Sequence, residues 1–187
     1  MSTVARALTY DDLCRQREDG NRYELIGGTL VSVASPSPWH QRLLLQLAWA
    51  WNEGIADRGL GEAFVAPLDV RFSDQTVVQP DLVVVLADRA SIVQSSLIEG
   101  APSLVAEVES RSSRAIDRRT KAAVYARHGV PEYWLLTRSP LDVVAHADPS
   151  PEGYRTIRRE EALLHASTIP GLTVNLTDLF AGFPAGD

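Results

Sequence analysis

The sequence predicts an α+β fold, a mixed α/β sheet domain with helices covering its faces, and two observations carry that prediction. Short β-branched and aliphatic runs are interrupted by two long amphipathic helical segments rather than alternating regularly with helices, giving the order αββα, β-rich, α, β-rich. Pro and Gly residues fall between these runs as punctuation, with no repeat, low-complexity tract or charge block to mark a boundary. The 187 residues, 45% of them apolar, therefore suit one domain spanning 1–187 with a core of its own.

Taken in chain order, Thr9 with Asp12 three residues later forms a capping box that opens a helix through Arg17. Arg22 to Ile26, Gly27-Gly28 and Thr29 to Val33 read as a hairpin with a two-residue turn. Ser37 as N-cap and Pro38 at the first helical position start a helix to about Asn52, with Leu43, Leu44, Leu47 and Trp51 on one face. Strands follow at Glu62 to Ala66, Asp69 to Phe72, Leu82 to Leu86 and Leu104 to Glu109, bounded by Pro67, Pro80 and Pro102. A helix from about Arg114 to His128 ends at Gly129. Glu132 to Thr137, Asp142 to Ala147 and Tyr154 to Arg158 read as further strands, and Thr177 to Phe180 as a last helical turn.

Charge and composition narrow the function classes. The 24 acidic residues outnumber the 18 basic ones, for a net charge of −6, which argues against a generic nucleic-acid binder unless the positive charge is clustered. The longest aliphatic stretch, Leu82 to Ala87, is far short of the roughly 20 apolar residues that cross a bilayer. Asp11, Asp12 and Glu18 occupy the region where a signal peptide needs an apolar run, so a cytoplasmic location is expected. The single cysteine, Cys14, offers neither an internal disulfide nor a zinc site. Of the basic residues 17 are Arg and one, Lys121, is Lys. The solitary lysine is either a chance survivor or a place where a compact ammonium is required.

Three segments carry candidate chemistry. Pro80-Asp81 places an acid at the mouth of the apolar strand Leu82 to Leu86, either as a turn cap or as a ligand. In Leu104-Val105-Ala106-Glu107-Val108-Glu109, strand alternation sends Glu107 and Glu109 to the same face, about 7 Å apart. If the two strands are antiparallel neighbours, Asp81, Glu107 and Glu109 converge at one sheet edge, where hard oxygens select Mg²⁺ or Mn²⁺. The alternative is a solvated strand face. The third segment, Arg111 to Arg127, holds six of the 18 basic residues with one acid, Asp117. There Asp117, Lys121 and Tyr125 follow at helical spacing beside Arg114 and Arg118, either as a phosphate-facing surface or as a solvated face.

These residues in order resemble a known family. Tyr23-Glu24-Leu25-Ile26, His40, Pro67-Leu68-Asp69-Val70-Arg71, Gln79-Pro80-Asp81-Leu82, Glu107-Val108-x-Ser110, Asp117, Lys121, Tyr125 and Gly129-Val130-Pro131-Glu132-Tyr133-Trp134 are similar to the Uma-two endonucleases. That family belongs to the PD-(D/E)xK restriction-endonuclease-like superfamily, and the likeness runs from about Leu8 to Phe180. It implies a central mixed sheet flanked by helices, Mg²⁺ as cofactor with Mn²⁺ as a substitute, DNA as substrate and phosphodiester hydrolysis as activity. It implies Asp81 and Glu107 as metal ligands. The superfamily lysine would stand at Glu109, so Lys121 is expected to supply it from a migrated position. Glu109 is then a third metal ligand or a departure that weakens activity. Glu24 and His40 match the family's amino-terminal glutamate and helical histidine. Tyr133 and Trp134 are expected in the core, and Asp69 at the end of a strand pair.

The resulting expectation is a Mg²⁺-dependent endonuclease in which Asp81 and Glu107 hold the metal, Lys121 positions water or neutralises developing charge, and Arg114, Arg118 and Arg119 engage phosphates. Tyr125 is expected to add a hydrogen bond. A homodimer is compatible with this class. One rival is a catalytically decayed nucleic-acid- or partner-binding domain of the same fold, which Glu109 favours. The other is a structural or dimerisation protein whose acids and arginines simply pair.

Overall fold

The computed structural model describes residues 6–109, 116–138 and 141–183, with the side chains of 116–118 excepted. Helix α1 (Tyr10–Gln16) opens at the expected capping box, where the Asp12 carboxylate accepts the Thr9 backbone N–H at 3.0 Å. Strands β1 (Tyr23–Ile26) and β2 (Thr29–Ser32) form the hairpin. Its turn residues Gly27 and Gly28 have φ of +56° and +77°, the pair of positive values that a tight hairpin turn demands. At Gly28 a side chain is excluded twice, because a Cβ would also lie 2.6 Å from Ala7 Cβ.

Helix α2 (Pro38–Ile55) follows, capped by Ser37, whose hydroxyl accepts the His40 N–H at 3.2 Å. It runs one turn past the expected end at Asn52, because Ile55 still falls on the buried stripe of Leu43, Leu44, Leu47 and Trp51. Then come β3 (Gly61–Val65), β4 (Asp69–Ser73), β5 (Thr76–Val78), β6 (Leu82–Leu86), a 3₁₀ segment (Ala87–Ile92), β7 (Leu97–Glu99) and β8 (Leu104–Val108). A π-helical segment (Ile116–Lys121) leads into α3 (Ala122–Arg127). The chain finishes with β9 (Glu132–Arg138), β10 (Leu141–Ser150), β11 (Gly153–Arg159), β12 (Leu163–His165), β13 (Thr173–Asn175) and α4 (Leu176–Leu179).

The strands form a six-stranded mixed sheet, β11-β10-β9-β8-β6-β3, a five-stranded sheet, β2-β1-β5-β4-β7, and the small β12-β13 pair. In the six-stranded sheet β8 and β9 run parallel, which requires a crossover, and the π-helical segment and α3 supply it. The fold class is thus mixed α+β, as expected, but the strands divide between two main sheets where one was foreseen. Strands β5, β7, β12 and β13 are three residues each, too short to leave a periodic signal.

Two cores lie on opposite faces of the six-stranded sheet. Leu82, Val84, Leu104, Ala106, Val108, Trp134 and Leu136 pack against α2 and the carboxy-terminal segment, with Trp51 edge-on to Trp134 at 5.4 Å. Val83, Val85, Val105, Tyr133 and Leu135 pack on the other face with Tyr125 of α3 and residues of the five-stranded sheet. Both β6 and β8 are therefore covered on both sides, and the solvated-face alternative for β8 falls. The fully buried Glu132 carboxylate anchors the carboxy-terminal segment to β9 by accepting from Trp134 Nε1, Ser167 Oγ, Thr168 N and Thr168 Oγ1 at 2.8–3.0 Å. No described helix is long and apolar enough to cross a membrane.

Candidate active site

The site is assembled where the two main sheets meet α2 and the crossover. Strands β6 and β8 are antiparallel with Leu82 opposite Ala106, so continuing the register by one residue sets Asp81 opposite Glu107. The Asp81 Oδ2 accepts the Val108 N–H at 2.8 Å, which draws its carboxylate against the backbone that carries Glu107. From the first turn of α2, His40 Nε2 lies 2.9 Å from the same oxygen. The Pro38 and Ser37 start of that helix fixes where the imidazole enters.

On the other wall, Glu107 Oε1 accepts from Lys121 Nζ at 2.8 Å and from Tyr125 Oη at 2.6 Å. Lys121 and Tyr125 stand one helical turn apart, so both reach the same carboxylate. Lys121 Nζ is also 3.0 Å from Glu24 Oε1, and that oxygen accepts the Gln79 backbone N–H at 2.8 Å. One ammonium thus bridges two carboxylates that are almost wholly withdrawn from water, Glu24 at 1% and Glu107 at 3% exposure. Burial, and next the adjacent Glu107 charge, raise the Tyr125 phenol well above its ordinary pKa, so it remains a donor to Glu107.

These side chains line a cleft of about 360 Å³, with Glu24, His40, Asp81, Glu107 and Lys121 on its walls and Arg22 and Gln79 beside them. Residues Val31 to Pro36, the end of β2 and the connection that leads to α2, also line it. A further ion pair supports it: Arg17 Nη1 and Nη2 grip both Asp69 carboxylate oxygens at 2.7 and 2.9 Å, and Asp69 Oδ1 accepts Gln79 Nε2 at 2.9 Å. Asp69 is the first residue of β4 and stands opposite Leu97 in the end pair of β4 with β7, as expected, and its carboxylate orients Gln79.

Of the residues singled out in the sequence, Asp81, Glu107, Lys121, Glu24, His40 and Tyr125 come together here. Glu109 does not line the cleft with them. It lies beyond the last residue of β8, its N–H bonded to Leu136 O, and two residues along the strand carry it past Asp81. The third carboxylate on the cleft wall is Glu24, delivered from the other sheet. Among the described residues no three His, Cys, Asp or Glu side chains gather as a metal-holding group. Arg114 and the side chains of Asp117 and Arg118 lie outside the described residues, and Arg119 is exposed. Sequence reasoning missed Arg22 and the clamping role of Gln79. For Arg22 a signal existed, since residues two apart at a strand start share a face and Arg22 is two before Glu24.

The Uma2 family profile, described as "Putative restriction endonuclease", matches residues 8–177. The chain belongs to the Uma2 family. This Uma2 chain is also similar in fold to the crystal structure of a protein from Anabaena variabilis ATCC 29413, described as a putative nuclease belonging to DUF820. The TM-score is 0.76 at 21% identity, over 92% of this chain and 97% of that one. It is 28% identical over 114 residues to "Uncharacterized protein sll1609" of Synechocystis sp., a match covering 60% of this chain and 64% of that protein's length.

Proposed function

We propose that this Uma2 protein is a Mg²⁺-dependent endonuclease that hydrolyses phosphodiester bonds in DNA, with Asp81 and Glu107 as metal ligands. The observation that carries the reading is the placement of these two carboxylates opposite each other on the cleft wall, with the Lys121 ammonium 2.8 Å from one of them. The donor chemistry fits the cation. Mg²⁺ takes hard oxygen ligands and commonly uses one or two carboxylates, keeping its remaining positions for water and substrate phosphate, and Mn²⁺ shares that preference. Such an ion supplies Lewis-acid chemistry, polarising a phosphoryl oxygen and lowering the pKa of water.

The chain's own residues do the rest. His40 and the Val108 N–H hold one Asp81 oxygen and thereby fix its carboxylate plane. Tyr125 and Lys121 do the same for Glu107, leaving no freedom for the carboxylate to swing away. Lys121 Nζ, positive and almost dry, stands ready to stabilise negative charge that develops on a phosphate in the cleft. Glu24 keeps that ammonium in place. Arg119, exposed at the crossover, is a candidate for neighbouring phosphates, as Arg114 and Arg118 are by sequence. Lys121 beside Glu107 favours a competent site over a decayed one.

Thermal melts with and without Mg²⁺, paired with cleavage of a supercoiled plasmid, test the reading on wild type, Asp81→Asn and Glu107→Gln. Wild type should cleave and gain stability with metal, by about 2.7 kcal/mol at a hundredfold excess over Kd. Both variants should lose cleavage and the metal-induced shift. An equal shift in all three would remove these residues as ligands.

A further inference from the structure

Resting on the nuclease reading of the cleft, we propose that Arg22 grips a backbone phosphate of the nucleic-acid substrate, and that Gln79 is the neutral clamp that aims it. Arg22 immediately precedes β1, and its carbonyl accepts the Val33 N–H at 2.9 Å, which ties it to the lining of the cleft. Arg22 lines the cleft together with Glu24, Asp81, Glu107 and Lys121.

Two features separate this cation from Lys121, the other cation among the described lining residues. Its partner is uncharged: Arg22 Nε and Nη2 donate to Gln79 Oε1 at 3.3 and 3.1 Å, and among the described residues no carboxylate lies within ion-pair distance of it. Lys121, by contrast, is held by two carboxylates. The Gln79 amide is also not free to turn. Asp69, pinned by Arg17, can only accept, so Gln79 Nε2 must face Asp69 and Oε1 must face Arg22. The relay holds the Nε edge of the guanidinium without neutralising it, and Nη1 keeps its donors for a ligand.

Charge in the cleft points to the class of that ligand. Glu24, Asp81 and Glu107 contribute three negative charges, which Lys121 and a divalent cation together cancel. Arg22 then makes the loaded cleft net positive. A phosphodiester carries one negative charge and two unbridged oxygens that match the guanidinium fork. Arg22 is the arginine among the described lining residues, so it supplies the inner phosphate contact that the exposed Arg119 does not.

Single-turnover cleavage of a labelled DNA duplex with Mg²⁺, measured against protein concentration and across a NaCl series, tests the assignment on wild type, Arg22→Gln and Arg22→Lys. A thermal melt of each variant reports folding. Arg22→Gln should raise the half-saturating protein concentration by about tenfold or more and lower the slope of log K against log salt by about 0.9. Arg22→Lys should keep the slope but recover only part of the affinity, because an ammonium has no fork. If Arg22→Gln melts below the assay temperature, Arg22→Lys decides: weaker half-saturation at an unchanged slope upholds the contact, and wild-type behaviour overturns it. A cleaving wild type matched by Arg22→Gln in half-saturation and slope overturns Arg22 alone. A lower melting temperature with an unchanged salt slope assigns Arg22 to structure and likewise overturns the proposal. A wild type that neither binds nor cleaves the duplex overturns the nuclease reading, and the phosphate grip with it.

Discussion

Replacing Lys121 with Met removes a buried ammonium and leaves its stem volume, which isolates the charge. Lys121 is 6% exposed and stands 3.0 Å from Glu24 and 2.8 Å from Glu107. At an effective dielectric of about 20, each contact is worth about 5–6 kcal/mol of gross attraction. The cost of desolvating three charges and the repulsion between the two carboxylates offset most of it, so the gross figure is not the stability change. Truncating one partner of a buried ion pair costs about 3–5 kcal/mol, because the remaining charge stays buried without compensation. Here two buried carboxylates lose the same ammonium at once, which places Lys121→Met at the upper end of that range. Against a total stability of about 5–15 kcal/mol, the variant should be only marginally folded at neutral pH. The triple variant Lys121→Met, Glu24→Gln, Glu107→Gln, which carries no charge in this triad, should recover most of the loss. Urea unfolding at pH 7 measures both as a shift in midpoint at constant m. A Lys121→Met unfolding free energy within about 0.5 kcal/mol of wild type would mean an ordinary surface lysine and refute the buried bridge.

Two further outcomes follow from the same geometry. Tyr125→Phe deletes a buried hydroxyl that lies 2.6 Å from Glu107 Oε1, and urea unfolding should show a loss of about 1.5–3 kcal/mol, whereas a loss below about 0.5 would contradict a charge-assisted bond. His146 is stacked on Tyr133 at 5.2 Å, and burial lowers its pKa below the ordinary value. A depressed imidazole pKa means that the unfolded chain takes up the proton first, so the contribution is fully present above about pH 6.5 and is lost as pH falls below it. His146→Phe should therefore lose less stability than wild type between pH 7.5 and 5.5. His128, lowered by burial and by Arg127, keeps part of the slope in both proteins. Identical losses in the two proteins would show that His146 does not carry it.

Local rules fixed much of this protein in advance. The capping box at Thr9, the Gly27-Gly28 turn, the Ser37-Pro38 helix start and Gly129 after α3 depend on neighbours within a few residues, where backbone sterics and cap hydrogen bonds decide the outcome. The alternation of β8 likewise put Glu107 on the face of Val105, and helical spacing put Lys121 and Tyr125 on one side. What spacing could not decide was which strands become neighbours. That Asp81 stands opposite Glu107 depends on the β6–β8 register, and that Glu24 rather than Glu109 completes the cleft depends on a second sheet folding across the first. Loop closure between positions as distant as Glu24 and Lys121 is paid from burial of both sheet faces, a property of the whole core and not of any segment. The charge of Arg22 is of the same kind: its identity and its face were written in the chain, but the Arg17–Asp69–Gln79 relay that leaves it unneutralised exists only once two distant segments have packed.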